Sequence, residues 1–162
     1  SENAPFVGPE DAKVTVVEFF DFSCHYCKKL APALEKVMAE NKDVKFIFKP
    51  LAFVDPENSH YQAQAGLAVF KQGKFTEFYK AVMAAEGRMS KDAIDGLARG
   101  LNIDFDKYKA DVESDDVNND LSEIADLSRN IQVNGVPTVL INGKHIQTMS
   151  ADDLQEAINA AK

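Results

Sequence analysis

The sequence predicts an α/β fold in which strand, helix and strand come first, helices alone follow, and two strands and a helix close the chain. Three observations predict it. Val14-Thr15-Val16-Val17-Glu18-Phe19-Phe20 and Val44-Lys45-Phe46-Ile47-Phe48-Lys49 are β-branched and aromatic runs of strand length. Between them, apolar residues at 30, 34, 37 and 38 follow the spacing of one helical face. Near the end, Asn142-Gly143 stands between two short runs as a strong hairpin signal.

Residues 1–13 are polar, with Phe6-Val7 as a short edge strand among Pro5, Gly8 and Pro9. After the first strong strand, Asp21, Phe22 and Ser23 turn the chain into a helix beginning near Cys24 and ending around Asn41-Lys42-Asp43. Pro32 falls inside that helix and should kink it, because proline lacks the helical donor. Two strands joined through a helix run parallel. Tyr61, Ala65 and Ala68 then begin a purely helical stretch, the first helix ending at Gly73. Phe75, Phe78, Tyr79, Val82 and Met83 form the next apolar stripe, read as core rather than as a peptide groove. Ser90, Asp104 and Ser114 sit where N-caps belong for three further helices. Asn134-Gly135-Val136-Pro137 is a turn, Thr138-Val139-Leu140-Ile141 a strand, and Lys144-His145-Ile146-Gln147 its returning partner. Ser150 caps a last helix with Leu154, Ala157, Ile158 and Ala161 inward. The two ends share one sheet, so residues 1–54 and 131–162 form one domain and 55–130 an inserted helical domain.

Size and charge narrow the function. A chain of 162 residues supports one well-buried core. Its net charge of −8 argues against nucleic acid, whose phosphates need a basic face. No apolar run approaches the roughly 18 residues of a membrane span. Ser1-Glu2-Asn3-Ala4 carries no basic and apolar leader, so the protein is cytosolic or its leader has been removed.

The chain has two cysteines, in Cys24-His25-Tyr26-Cys27. A structural framework needs several distant bridges, and so short a loop gains little by restricting the unfolded chain. The pair is there for chemistry. At a strand-to-helix junction the first sulfur meets the unpaired N–H groups and positive end of the helix dipole, which stabilise a thiolate. The thiolate is the nucleophile of disulfide exchange. A zinc site would need two more ligands, and His60 and His145 are far away in sequence. No metal is expected, and no function is assigned to those histidines. The His25 imidazole can pair with the Cys24 thiolate; its plain alternative is an exposed side chain without a charge role. Glu18 interrupts an apolar central strand covered on both faces, where desolvation would raise its pKa. The alternative is a strand-end glutamate that reaches water.

These residues resemble the thioredoxin superfamily, and within it the DsbA family of bacterial thiol–disulfide oxidoreductases. Glu18-Phe19-Phe20 before Cys24-His25-Tyr26-Cys27 resembles the entry to the DsbA site. Pro32 stands five positions after Cys27, as the helix proline does in thioredoxins, and Gly135-Val136-Pro137-Thr138 resembles the cis-proline loop. The resemblance spans nearly the whole chain. It implies a thioredoxin-like fold with a DsbA-like helical insertion, a cis peptide at Pro137, and a periplasmic or otherwise extracytoplasmic location.

The resemblance also assigns roles. Cys24 is the exposed nucleophile and Cys27 the resolving partner. Glu18 helps move a proton on or off the inner cysteine, with Lys49 as its candidate lysine partner. Val136 offers backbone groups beside Pro137 to an extended substrate, and Tyr26 is counted with them as substrate-binding. No cofactor is implied beyond the Cys24–Cys27 disulfide. The expected activity is insertion of disulfides into unfolded or partly folded exported proteins with free thiols, with reoxidation by a DsbB-like membrane partner. One alternative is a disulfide isomerase or reductase of the same fold, with a DsbD-like partner. It would oligomerise through an N-terminal segment lacking here, whereas the chain as given is a monomer. The alternative of another class is a chaperone-like or metal-binding module.

Overall fold

A computed structural model describes residues 4–162. The elements follow as β1 (Phe6–Val7), β2 (Thr15–Phe20), α1 (His25–Glu40), β3 (Lys45–Pro50), α2 (Pro56–Phe70), α3 (Phe75–Ala84), α4 (Lys91–Arg99), α5 (Phe105–Val112), α6 (Asp115–Asn130), β4 (Thr138–Ile141), β5 (Lys144–Ile146) and α7 (Ala151–Ala161). One five-stranded sheet has the order β1-β3-β2-β4-β5. β2 and β3 are parallel, as a strand–helix–strand unit requires, and every other pairing is antiparallel.

Local signals account for most boundaries. Side-chain oxygens of Ser90, Asp104, Ser114 and Ser150 each accept a backbone N–H of the first turn that follows, which satisfies a donor the helix leaves open. Asn142 and Gly143 take φ of 46° and 82°, the left-handed pair that a tight hairpin turn needs. α1 runs on through Pro32.

β2 is the middle strand, and its alternation divides the core. Val16 and Phe20 join Leu34 and Val37 of α1, Phe78 and Val82 of α3, and Leu154 and Ile158 of α7. Phe19 and Ile47 join Ala63 and Leu67 of α2 and Leu121 and Ile124 of α6 on the other side. The Phe75, Phe78, Tyr79, Val82, Met83 stripe is buried, as core packing requires. Among the described residues no helix is long and apolar enough to cross a membrane.

Candidate active site

The site begins at the C-terminal end of β2. Asp21 is fully buried and folds the chain away from the sheet. Its Oδ1 accepts from Ser23 N and Ser59 Oγ, both at 2.8 Å. Oδ2 accepts from Phe53 N at 2.8 Å and Val54 N at 2.9 Å. Four donors hold one buried carboxylate, so the turn before the helix is tied to the segment after β3 and to α2. Phe22 fills the turn from below, and Gly66 of α2 lies against it: a Cβ there would meet the ring at 3.2 Å. The turn ends with Cys24 N donating to Asp21 O at 3.0 Å.

Cys24 is the N-cap of α1 and is only 6% exposed rather than open as expected, because it lies against the Val136 loop; its Sγ accepts from Cys27 N at 3.3 Å. The thiol is pulled down to about 6 by a hydrogen bond from the Cys27 thiol, aided by the backbone amides of Cys27 and Tyr26. Burial and the charge of Asp21 oppose that pull. Cys27 lies one turn inward and is fully buried. Burial pushes its thiol far up, with further contributions from the bond it gives Cys24 and from the charge of Glu18. Both cysteines are free thiols here.

Glu18 lies on the Val16–Phe20 side of β2, between Phe48 and Val139 of the neighbouring strands, with 1% exposure. It does not reach water. Burial raises its carboxyl to about 8, against the lowering effect of a hydrogen bond from Tyr79. The Tyr79 hydroxyl donates to Oε1 at 2.9 Å. A tyrosine therefore stands where the sequence suggested Lys49. The reason is the period of two: Lys49 is in register with Phe19, so it belongs to the opposite face of the sheet.

Val136-Pro137 is a cis peptide, and the Cys24 thiol lies 3.8 Å from the Val136 carbonyl. Residues 112 positions apart in the chain thus meet at the sulfur. Beside them a cavity of about 480 Å³ is lined by Tyr26, Leu30, Val136, Pro137, His145 and Met149. Tyr26 is 59% exposed at its rim, and the Lys29 ammonium lies 5.9 Å from its ring centre. His25 is exposed and packs edge-on against Tyr26, ring centres 5.4 Å apart. The groups that stabilise the Cys24 thiolate here are therefore the Cys27 thiol and backbone amides, while His25 stands at the solvent side. His60 is exposed and does not line this cavity, whereas His145 does. Among the described residues no three His, Cys, Asp or Glu side chains converge to hold a metal ion.

Sequence reasoning missed Asp21, Tyr79, His145 and Met149. For Asp21 a signal exists, an acidic residue ending an apolar strand three positions before the first cysteine. For Tyr79 there is none, because its spacing suits the core and its hydroxyl points to a strand 61 residues away.

The family model described as Thioredoxin matches residues 1–160. The chain belongs to the thioredoxin family. A probable disulfide bond formation protein D of Bacillus cereus is 28% identical over 169 residues, covering 94% of this chain and 76% of that protein. The Na(+)/H(+) antiporter NhaA 1 of Salinispora arenicola is 29% identical over 157 residues, covering 95% of this chain. The chain spans about a quarter of the length of such antiporter relatives, 24% in that case. Among solved structures, the catalytic domain of Proteus mirabilis ScsC superposes with a TM-score of 0.87 at 28% identity, over 99% of this chain and 90% of that one. The thiol-disulfide exchange protein alpha-DsbA2 of Wolbachia pipientis, 22% identical, shares the fold with a TM-score of 0.90, over 98% of this chain and 87% of that one. The thioredoxin-like, DsbA-type fold expected from the sequence is the fold observed.

Proposed function

We propose that this chain is an extracytoplasmic thiol–disulfide oxidoreductase that passes a Cys24–Cys27 disulfide to thiols of unfolded or partly folded exported proteins. One observation carries the reading: an acidic thiol at a helix N-cap lies against the carbonyl that precedes a cis-proline. The relatives named for disulfide bond formation and thiol-disulfide exchange support it.

In the oxidised protein a substrate thiolate attacks Cys24 Sγ. The Cys24–Cys27 bond breaks, and Cys27 leaves as a thiolate that takes a proton from Glu18. A second substrate thiolate attacks the substrate sulfur of the mixed disulfide. The substrate is then oxidised, and Cys24 departs as a stabilised thiolate. No cofactor enters these steps. Val136 and Pro137 hold the substrate backbone by strand addition, and the neighbouring cavity, with Tyr26 at its rim, takes a side chain.

A depressed Cys24 pKa favours the reduced form, by roughly 30 mV for each unit below ambient pH, and so makes the protein an oxidant. Continued turnover requires a membrane redox partner of the DsbB kind.

Redox equilibration against glutathione at pH 7 tests the reading. The expected potential lies well above that of structural disulfides, which fall below about −300 mV. A bridge as resistant as those overturns the assignment.

A further inference from the structure

The floor of the site holds a carboxyl with two unequal oxygens. We propose that Tyr79 is a positioning residue for disulfide exchange: it occupies one oxygen of Glu18 so that the other alone carries the proton exchanged with Cys27. The proposal rests on the oxidoreductase reading above and adds a residue from outside the cysteine motif to it.

Geometry supplies the argument. Tyr79 is fully buried on α3, with its ring centre 4.8 Å from Phe48, 5.5 Å from Phe20 and 5.8 Å from Phe75. Packed aromatics on several sides leave its ring little freedom to swing. Its hydroxyl donates to Glu18 Oε1 at 2.9 Å. Glu18 Oε2 is buried and has no hydrogen-bond partner among the described residues. Burial, and then the charge of Glu18, hold the phenol well above its ordinary pKa, so it remains a donor through the neutral range. While the phenol proton points at Oε1, a neutral Glu18 must bear its own proton on Oε2. The unpartnered oxygen is the one free to give and take it.

The other ionisable groups around the pair come from α1. Cys24 and Cys27 act electrostatically on Glu18 or Tyr79, and Glu35 acts on Tyr79. Lys28, whose Nζ donates to Val82 O at 2.8 Å, interacts with both cysteines. From the flanking strands, the register neighbours are Phe48 and Val139, which do not titrate.

The step this arrangement serves is resolution of a mixed disulfide. The Cys27 thiol gives its proton to Glu18 Oε2 and attacks Cys24 Sγ. The bond from Cys24 to the bound thiol breaks, and the departing thiolate takes its proton from water. The rate therefore rises with the ionised fraction of Glu18. Tyr79 steadies that ionised form, because a donated hydrogen bond favours the charged carboxylate.

Stopped-flow oxidation of the reduced full chain by excess oxidised glutathione, followed from pH 5 to 10, tests this. In Tyr79→Phe the midpoint of the resolution step is expected to move up by about one pH unit. The rate at pH 7 then falls about tenfold and recovers at high pH. In Glu18→Gln the added Tyr79→Phe change is expected to leave the rate unaltered. A lowered unfolding midpoint with an unmoved pH profile overturns the proposal, since that is what a packing role alone produces. If Tyr79→Phe does not fold, replacing the tyrosines with 3-fluorotyrosine, a stronger donor of nearly the same shape, must move the midpoint down, and no movement overturns the proposal. Absence of any glutathione adduct at Cys24 in Cys27→Ser, where nothing resolves it, defeats the oxidoreductase reading instead, so the two failures are distinguishable.

Discussion

The mouth and the floor of the site treat the same chemical group in opposite ways. At the mouth, Cys24 meets the Cys27 thiol and backbone N–H groups at a helix start, and its thiol becomes acidic. At the floor, one helical turn away, Cys27 is sealed among apolar side chains above a buried carboxyl, and its thiol stays protonated. Sequence separation is three residues and composition is identical, so environment alone makes the difference. At Cys24 the aimed donors outweigh burial, whereas at Cys27 burial, the bond it gives Cys24 and the charge of Glu18 outweigh a backbone hydrogen bond at Asp21. In the proposed exchange this makes Cys24 the leaving group and Cys27 the proton-holding thiol behind it.

The sharpest way to break this contrast is to remove one sulfur at a time. Cys24→Ser is expected to lose all exchange with glutathione and with reduced protein substrates. Cys27→Ser should form a mixed disulfide at Cys24 and fail to resolve it, so mass spectrometry finds the adduct in one variant only. Adducts at residue 27 in the first variant would reverse the assigned roles.

A smaller effect lies in the floor itself. The pKa of Glu18 is raised by folding, so the native state keeps a proton that the unfolded chain releases. This penalty is absent below the ordinary carboxylate range, grows as pH rises towards about 8, and is constant above. Glu18→Gln keeps an acceptor for Tyr79 and removes the penalty. Denaturant titrations should therefore show a gain of about 4 kcal/mol at pH 8 and little change at pH 4. An equal effect at both pH values would mean that the carboxyl is not buried neutral.

The smallest concerns the mouth. The pKa of Cys24 is depressed in the folded, reduced protein, so its contribution to stability is complete above the unfolded thiol range and lost as pH falls through about 6. At pH 7 that amounts to about 1.4 kcal/mol favouring the reduced form, offset by whatever the bridge gains from the unfolded chain. The stability difference between the reduced and oxidised forms should therefore change in favour of the oxidised form between pH 8 and pH 5. A difference independent of pH contradicts the acidic thiol.

Much of this was legible in the residues. The cysteine pair, the strand before it, the caps at Ser90, Asp104, Ser114 and Ser150 and the Asn142-Gly143 turn act locally, and local signals survive without knowledge of the fold. The meeting of Val136 with Cys24 came through family resemblance, since no local rule joins positions 112 apart. Long-range polar contacts were the blind spot. Lys49 was the charge-matched guess for Glu18, but strand alternation puts it across the sheet. Tyr79 carried only the spacing of a core residue, and its hydroxyl could be placed only by knowing which strand α3 covers. Asp21 read as a turn residue, because its donors come from Phe53, Val54 and Ser59, a stretch that composition does not connect to it.

The outermost strands of the sheet are brief, β1 with two residues and β5 with three. An extended chain seeking backbone partners finds almost no open ladder at either margin. Under the proposed function, capture of an unfolded polypeptide is thus directed inward, to residue 136, whose carbonyl lies beside the sulfur of Cys24.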